Sequence, residues 1–315
     1  MLDTCAKFFR TVHVSGWIKH DEEVLLRVEM LNCDRAAESF VVGLPHVVSA
    51  EFGGVNLGFA IDVFLKADEF PFGAFICFSF SNLKQEMVAL YDLVHERLAT
   101  SPTFALYRRF LDQVKTPEFR RVLDIGGRDR SQIDRRKDFP TNEVIVLDLL
   151  PGTNVDIVCD AHNLSNHLPP GSFDAIQSTS VFEHLLMPWK VVLEMNRVLR
   201  PGGLVYVHTH QALGMHDIPC DFWRFSADAW AALFNDKTGF EIIDRAMSHE
   251  TFLIPHFWRI DKRDAERAAG FETSIVLARK ISDPVLSWDV RPDEISNAAY
   301  PEAVESDPHA RTSSS

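Results

Sequence analysis

Between Val207 and Phe225 the chain collects three histidines (His208, His210, His216), two aspartates (Asp217, Asp221), Trp223 and Arg224. An imidazole titrates near neutrality, so a histidine in this company can take a proton from an acceptor group. A nearby aspartate can orient the ring, an arginine can hold an anion, and an indole face can stack on a sugar. His216 is expected as the general base, with Asp221 orienting it or the acceptor, and His210 is the second candidate. His184, in the run Val181-Phe182-Glu183-His184-Leu185, is a further catalytic candidate. His208 alternates along a predicted strand and reads as a buried, satisfied histidine. No metal is expected. His208-Thr209-His210 with Asp217 or Asp221 offers donors for a divalent ion, but magnesium prefers carboxylates and water to imidazole.

A second polar set stands at the ends of apolar runs. In order these are Val122-Leu123-Asp124-Ile125-Gly126-Gly127, Val144-Ile145-Val146-Leu147-Asp148, Asp160-Ala161, Phe173-Asp174-Ala175-Ile176 and Arg197-Val198-Leu199-Arg200-Pro201-Gly202-Gly203-Leu204. Each apolar run is strand-sized and closes on a polar residue or glycine. In an open α/β sheet ligands bind beyond the carboxyl ends of the strands, so the set describes one ligand crevice.

As an ordered set these residues resemble the cofactor site of a class I S-adenosylmethionine-dependent methyltransferase, of the type 11 kind found with bacterial surface-glycan genes. The resemblance spans roughly residues 119–280 and implies S-adenosylmethionine as cofactor. On that likeness Gly126 and Gly127 form a tight turn against the methionine carboxylate and ribose, and Asp124 helps hold the methionine ammonium. Asp148 accepts the two ribose hydroxyls, Leu149 lies on the adenine, Asp160 and the Ala161 amide meet the adenine edge, and Ser178 lies beneath the methyl group. The family usually reads D-x-G-x-G-x-G; here Arg128 and Arg130 replace the second and third glycines. The Arg128 guanidinium is expected either at the cofactor carboxylate or in water.

The stretch His216 to Phe225 is similar to a loop of methyltransferases encoded with glycan genes. It implies O-methylation of a sugar hydroxyl in a surface glycan or glycoconjugate, a place in polysaccharide biosynthesis, and glycosyltransferases as partner proteins. Two other readings stay open. Asp148 would also serve an NAD(P)-dependent oxidoreductase, although no G-x-G-x-x-G is present. A degenerate methyltransferase fold could act as a non-catalytic glycan- or partner-binding module, a reading that the arginines in the glycine turn keep alive.

The elements that must position these groups fall in four stretches. Residues 1–84 read as a β-sandwich-like accessory domain. Val12–Trp17, Val24–Met30, Ser39–Val42, Ile61–Leu65 and Ala74–Phe80 are strand-length and rich in Val, Ile and Phe. Residues 85–117 read as a helical bridge, with one apolar stripe through Met87, Leu90, Tyr91, Val94 and Leu98 and a second through Tyr107, Phe110, Leu111 and Val114. Residues 118–281 alternate strand and helix and close on two strands, which the resemblance makes the methyltransferase domain: an α/β fold with a seven-stranded Rossmann-like sheet. Residues 282–315, with seven acids against two arginines, read as a disordered acidic tail.

Composition narrows the partners. A net charge of -13 over 315 residues disfavours nucleic acid, whose binding rests on clustered Lys and Arg. Five cysteines without a C-x-x-C pair fit free thiols in a reducing cytoplasm. No apolar run approaches the roughly 20 residues of a membrane helix, and the first residues lack the pattern of a signal peptide. Composition leaves the oligomeric state open.

Overall fold

The computed structural model describes residues 1–19, 23–52, 56–129, 134–253, 255, 257, 259–262, 269–296 and 300–301. The chain divides into two compact units, Met1–Ser101 and Pro102–Ser315.

The first unit holds strands β1 (Leu2–Phe8), β2 (Thr11–Trp17), β3 (Leu25–Leu31), β4 (Arg35–Leu44), β5 (Gly58–Leu65), β6 (Phe75–Phe80) and β7 (Gln85–Ala89), then helix α1 (Leu90–Ala99). They form two antiparallel sheets, ordered β1-β2-β5-β4 and β3-β6-β7. Side chains alternate across a strand, so every second residue of β2 and β5 (Val12, Val14, Phe59, Ile61, Val63, Leu65) turns inward. These pack with Val28, Met30, Ile76, Phe78 and Phe80 of the second sheet in a single buried cluster. Strands β1 and β7 are not foreseen from the sequence. Met87, expected on a helical stripe, lies in β7 paired opposite Cys77, and the helix starts only at Leu90. The β-branched and polar run Gln85–Val88 completes a sheet edge rather than a helical turn.

The second unit begins with α2 (Pro102–Val114) and continues through β8 (Arg121–Ile125), β9 (Glu143–Asp148), β10 (Ile157–Val158), β11 (Phe173–Thr179), α3 (Pro188–Val198), β12 (Leu199–His210), α4 (Ala229–Leu233), β13 (Phe240–Phe252), β14 (Ala269–Lys280) and the one-turn α5 (Pro292–Ile295). Its seven strands make one mixed sheet in the order β10-β9-β8-β11-β12-β14-β13. The first five strands run parallel, and β14 is antiparallel to both neighbours. Helix α2 covers one face through Leu106, Phe110 and Val114, while α3 and α4 cover the other through Val191, Met195 and Trp230. Strands covered on both faces read as near-continuous apolar runs, which is why Val122–Ile125 and Val205–Val207 carry no alternation. The chain crosses from β10 back over β8 to β11. The strand order therefore reverses between β8 and β11, where open α/β sheets bind ligands.

The expected acidic tail is structured over part of its length. Lys190 donates to the carbonyls of Trp288 and Val290 at 3.4 and 3.0 Å, and the Trp288 ring meets Trp189 edge-on at 5.6 Å. Trp288 and Val290 anchor this segment through backbone carbonyls and an aromatic contact that its net charge conceals. Residues 302–315 lie outside the described residues.

Candidate active site

A cavity of about 560 Å³ opens at the carboxyl ends of β8, β9, β10 and β11. One end is walled by Gly126, Arg128, Asp148, Leu149, Asp160 and Ala161, the other by His184, His216, Asp217, Phe222 and Tyr300.

At the first end Gly126 has φ +76°, and its amide donates to Leu147 at 2.7 Å, tying the turn after β8 to β9. A Cβ on Gly126 would stand 2.1 Å from Val181 Cγ2, so only glycine lets the turn pass. Asp148 closes β9. Its Oδ1 accepts from the Leu150 amide at 2.9 Å and lies 3.6 Å from Arg128 Nε, and Oδ2 takes part in no hydrogen bond among the described residues. Arg128 therefore turns toward the carboxylate at the β9 end. Arg130 lies outside the described residues.

Asp160 caps the short 3-10 turn Ala161–Asn166: its Oδ1 accepts from the His162 amide at 2.9 Å and meets His162 Nδ1 at 2.6 Å. His162 Nε2 in turn accepts from the Met187 amide at 3.1 Å. That bond leaves the proton on Nδ1, so the buried ring is a donor to Asp160. Burial works against the Asp160 charge, but the His162 bonds outweigh it and hold the carboxyl below its ordinary range. Leu149 is half exposed at the rim, and the buried Ala161 lies behind Asp160.

Three residues expected at the cofactor, Asp124, Gly127 and Ser178, do not line the cavity. Asp124 does not reach the cavity. It lies beneath the turn, with Oδ2 2.3 Å from where a Gly127 Cβ would be, and neither of its oxygens accepts a hydrogen bond among the described residues. Burial pushes it up to about 6, against the pull of the Arg135 charge. Gly127 accordingly serves as the roof over Asp124, and its carbonyl accepts from Asn154 at 2.8 Å. Ser178 is fully buried within β11 and does not line the cavity; Thr179, Ser180 and Val181 do. The strand runs one residue further than expected, and Ser180 at φ +56° makes the turn.

The second end is built on a residue the sequence reading passed over. Glu183 is fully buried. Its backbone carbonyl accepts from the amides of Phe222 and Trp223, at 2.8 and 3.1 Å, stitching the loop after β12 to the turn after β11. Its Oε2 accepts from the Thr209 hydroxyl. Its Oε1 faces three imidazoles, with the Nε2 atoms of His210, His184 and His216 at 3.2, 3.8 and 4.0 Å, yet accepts no hydrogen bond among the described residues. Burial alone would raise Glu183; the His210 ring and Thr209 hydroxyl outweigh it and hold it low.

His184 and His216 both line the cavity, their rings edge-to-face at 4.8 Å. His184 Nδ1 lies 2.7 Å from the Cys220 carbonyl and His216 Nδ1 3.1 Å from that of Gly214. A carbonyl only accepts, so both rings carry hydrogen on Nδ1. His210 does not line the cavity; its Nε2 faces Glu183 behind the other two rings. Asp221 lies beside the His216 ring, its Oδ2 3.7 Å from Nδ1, beyond hydrogen-bond reach. Its Oδ2 accepts from the His216 amide at 2.9 Å, and Arg224 grips both oxygens at 2.6 and 2.8 Å. Arg224 holds Asp221 down at about 2, so the pair is a fixed ionic strut under the loop. Trp223 is not a sugar platform within the cavity. Its indole donates to the Leu185 carbonyl at 2.8 Å and packs against Trp189. His208 is driven down to about 4, chiefly by burial, in keeping with a neutral structural ring.

The stretch 136–207, which includes β9 to β11 and most of β12, matches a family model. That family is the methyltransferase domain. The match supports S-adenosylmethionine as the cofactor and methyl transfer as the activity. It covers less than half of the chain. No curated protein matches. Among solved structures, an S-adenosylmethionine-dependent methyltransferase from Archaeoglobus fulgidus is 16% identical, covering 61% of this chain and 100% of that one with a TM-score of 0.42. A 1,6-didemethyltoxoflavin-N1-methyltransferase from Burkholderia thailandensis is 14% identical, over 61% and 84% of the two chains, with a TM-score of 0.41. A methyltransferase from Haloferax volcanii in complex with its Trm112 activator is 18% identical, over 56% and 88%, with a TM-score of 0.40.

The residues at the first end fit the cofactor. A carboxylate with one oxygen open to the cavity suits a diol, a side-chain-free turn admits close backbone approach, and Asp160 presents a charged acceptor for an amino group. Among the described residues no helix is long and apolar enough to cross a membrane.

Proposed function

We propose that this chain transfers a methyl group from S-adenosylmethionine to a hydroxyl of a sugar, in a surface glycan or glycoconjugate. The observation that carries the reading is that a single cavity joins the diol-accepting end at Asp148 to the imidazole end at His216. Bound beside Gly126, Asp148 and Asp160, the cofactor supplies a methyl carbon made electrophilic by its sulfonium.

The chain's own residues then have two tasks. His216 takes the acceptor proton at Nε2, because its Nδ1 hydrogen is already committed to the Gly214 carbonyl. Glu183, held charged behind the ring, stabilises the imidazolium that results. The acceptor oxygen gains the methyl as it loses its proton, and the carbon–sulfur electron pair stays with sulfur. His184 and Tyr300 complete the acceptor wall, and their hydrogen-bonding groups suit a polyhydroxylated ligand. In the same reading the first unit is a β-sandwich-like accessory domain. Free thiols throughout, among them Cys159 and Cys220 beside the cavity, suit a reducing cytoplasm.

Isothermal titration of S-adenosylmethionine and S-adenosylhomocysteine into the full chain tests the cofactor half, and labelled-methyl transfer to a panel of sugars tests the acceptor half. Micromolar binding is expected for both ligands. Asp148→Ala should weaken it by about 1.5–3 kcal/mol, the worth of a hydrogen bond to a charged group. A folded Asp148→Ala protein with unchanged affinity would overturn the cofactor assignment.

A further inference from the structure

We propose that Glu183, His184 and His216 form a binding site for one divalent transition-metal ion at the acceptor end of the cavity, with His210 behind Glu183. Three imidazole nitrogens gather around one carboxylate oxygen, Glu183 Oε1, at 3.2, 3.8 and 4.0 Å. The 3.8 and 4.0 Å separations are too long for hydrogen bonds, but donors that each bind a shared ion at about 2.0–2.2 Å stand about 3–4 Å apart. The donor atoms of Glu183, His184 and His216 all lie within 4.8 Å of one another.

Proton positions argue the same way. The Nδ1 atoms of His184 and His216 donate to the Cys220 and Gly214 carbonyls. Rings so held turn their Nε2 atoms toward Glu183 Oε1. A ligating histidine commonly gives its other N–H to a backbone carbonyl, and both rings do so here. Glu183 Oε1 is a fully buried anionic oxygen that accepts no hydrogen bond among the described residues, which is costly unless something positive approaches it. Asp217 adds a second carboxylate, its Oδ2 3.9 Å from His184 Nε2 and bonded to the Tyr300 hydroxyl at 2.7 Å.

The donor set selects the ion. Imidazole in excess over carboxylate suits zinc, copper, iron or nickel and disfavours magnesium, calcium or manganese. The site does not depend on the cofactor assignment, but its use does. If methyl transfer is the reaction, an ion held there would bind the acceptor hydroxyl and lower its pKa, so that its proton could pass to water in the open cavity while His216 ligates the ion.

The test uses the full chain stripped with EDTA, titrated with zinc chloride in a calorimeter and with cobalt(II) by visible absorption. The expected result is one zinc per chain and cobalt bands of a four- or five-coordinate nitrogen–oxygen site. Glu183→Gln should weaken zinc binding by about 100-fold or more. His216→Ala, on the loop and outside the core, keeps the test sound if Glu183→Gln fails to fold, and should cost about 10–100-fold. No zinc uptake, or uptake with unchanged affinity in His216→Ala, overturns the proposal. Titrating S-adenosylmethionine into the same stripped protein separates the two ideas. Cofactor binding without zinc sinks only the metal site, and zinc binding without cofactor sinks only the methyltransferase reading.

Discussion

The two ends of the cavity are made in different ways. At the Asp148 end every functional group sits on a strand or within three residues after one, and polar atoms are held by backbone: Asp148 by the Leu150 amide, Asp160 by the His162 amide, Gly126 by the Leu147 carbonyl. At the His216 end the groups come from places far apart in sequence, the turn after β11, the end of β12 and the loop beyond it. They converge on one buried carboxylate whose backbone carbonyl also pins that loop. The first end is a set of strand termini that any sheet of this order presents. The second exists only once Glu183 is buried and Arg224 has locked Asp221 beneath His216. Binding and chemistry are thereby assigned to different kinds of structure, and substitutions at the two ends should separate them.

The largest separation is expected from His216→Ala. Loss of a positioned base or a metal ligand should lower turnover by about 100- to 10,000-fold while leaving cofactor affinity nearly unchanged. Labelled-methyl transfer and calorimetry on the same variant check both halves. Undiminished turnover would remove His216 from the mechanism, and a parallel loss of cofactor affinity would show that the two ends are not separable.

The same division explains how much could be read from the sequence. At the Asp148 end the apolar runs marked where parallel strands stop, and the resemblance singled out the residues there; Gly126, Asp148, Leu149, Asp160 and Ala161 all line the cavity. Asp124 and Ser178 went astray by one step of geometry, because a strand's pattern does not say whether a residue points under a turn or into the space above it. The count of seven strands was legible from strand and helix alternation; their order in the sheet and the short strands β1 and β7 were not. Glu183 was overlooked because a lone acid between Phe182 and His184 has no period, and its importance arises from contacts with residues 209–223. The signal available was the pairing of an acid with an adjacent histidine inside an otherwise apolar turn. Tyr300 was hidden by the acidity of the segment around it.

Next in size is a pair of opposite pH signatures. Asp221 is held near 2 by Arg224, below its ordinary value of about 4. A carboxyl lowered in the folded state stabilises above its unfolded pKa and loses that contribution as pH falls. Asp221→Asn should therefore cost about 1.5–3 kcal/mol at pH 7, and the difference from wild type should shrink between about pH 4 and pH 2. Asp124 runs the other way. Raised to about 6 by burial, it binds its proton more tightly folded than unfolded, so the folded state loses stability as pH rises from about 4 to 6. Asp124→Asn should match wild type near pH 4 and exceed it by about 2–3 kcal/mol at pH 7. Urea melts across that range measure both, and a pH-independent gap for either variant would reject the corresponding assignment.

The smallest effect probes the seam where the two ends meet. Gly126 and Val181 touch across the cavity floor, one from the β8 turn and one from the turn that carries Glu183. Gly126→Ala adds a methyl in a left-handed conformation, which costs about 1–2 kcal/mol, and drives it to within 2.1 Å of Val181 Cγ2. The valine must move, and it lies on the wall that positions His184. In a Val181→Ala background the 2.1 Å clash is gone and only a 3.3 Å contact with the residue 181 Cβ and the backbone cost remain, so the penalty for Gly126→Ala should fall by about 1 kcal/mol, a coupling of the size found between touching residues. Cofactor affinity should recover with it, since the second substitution restores the space the first one fills. Equal penalties in both backgrounds would mean that the two turns move independently, and the division of labour between the ends would then rest on separate scaffolds rather than on a shared floor.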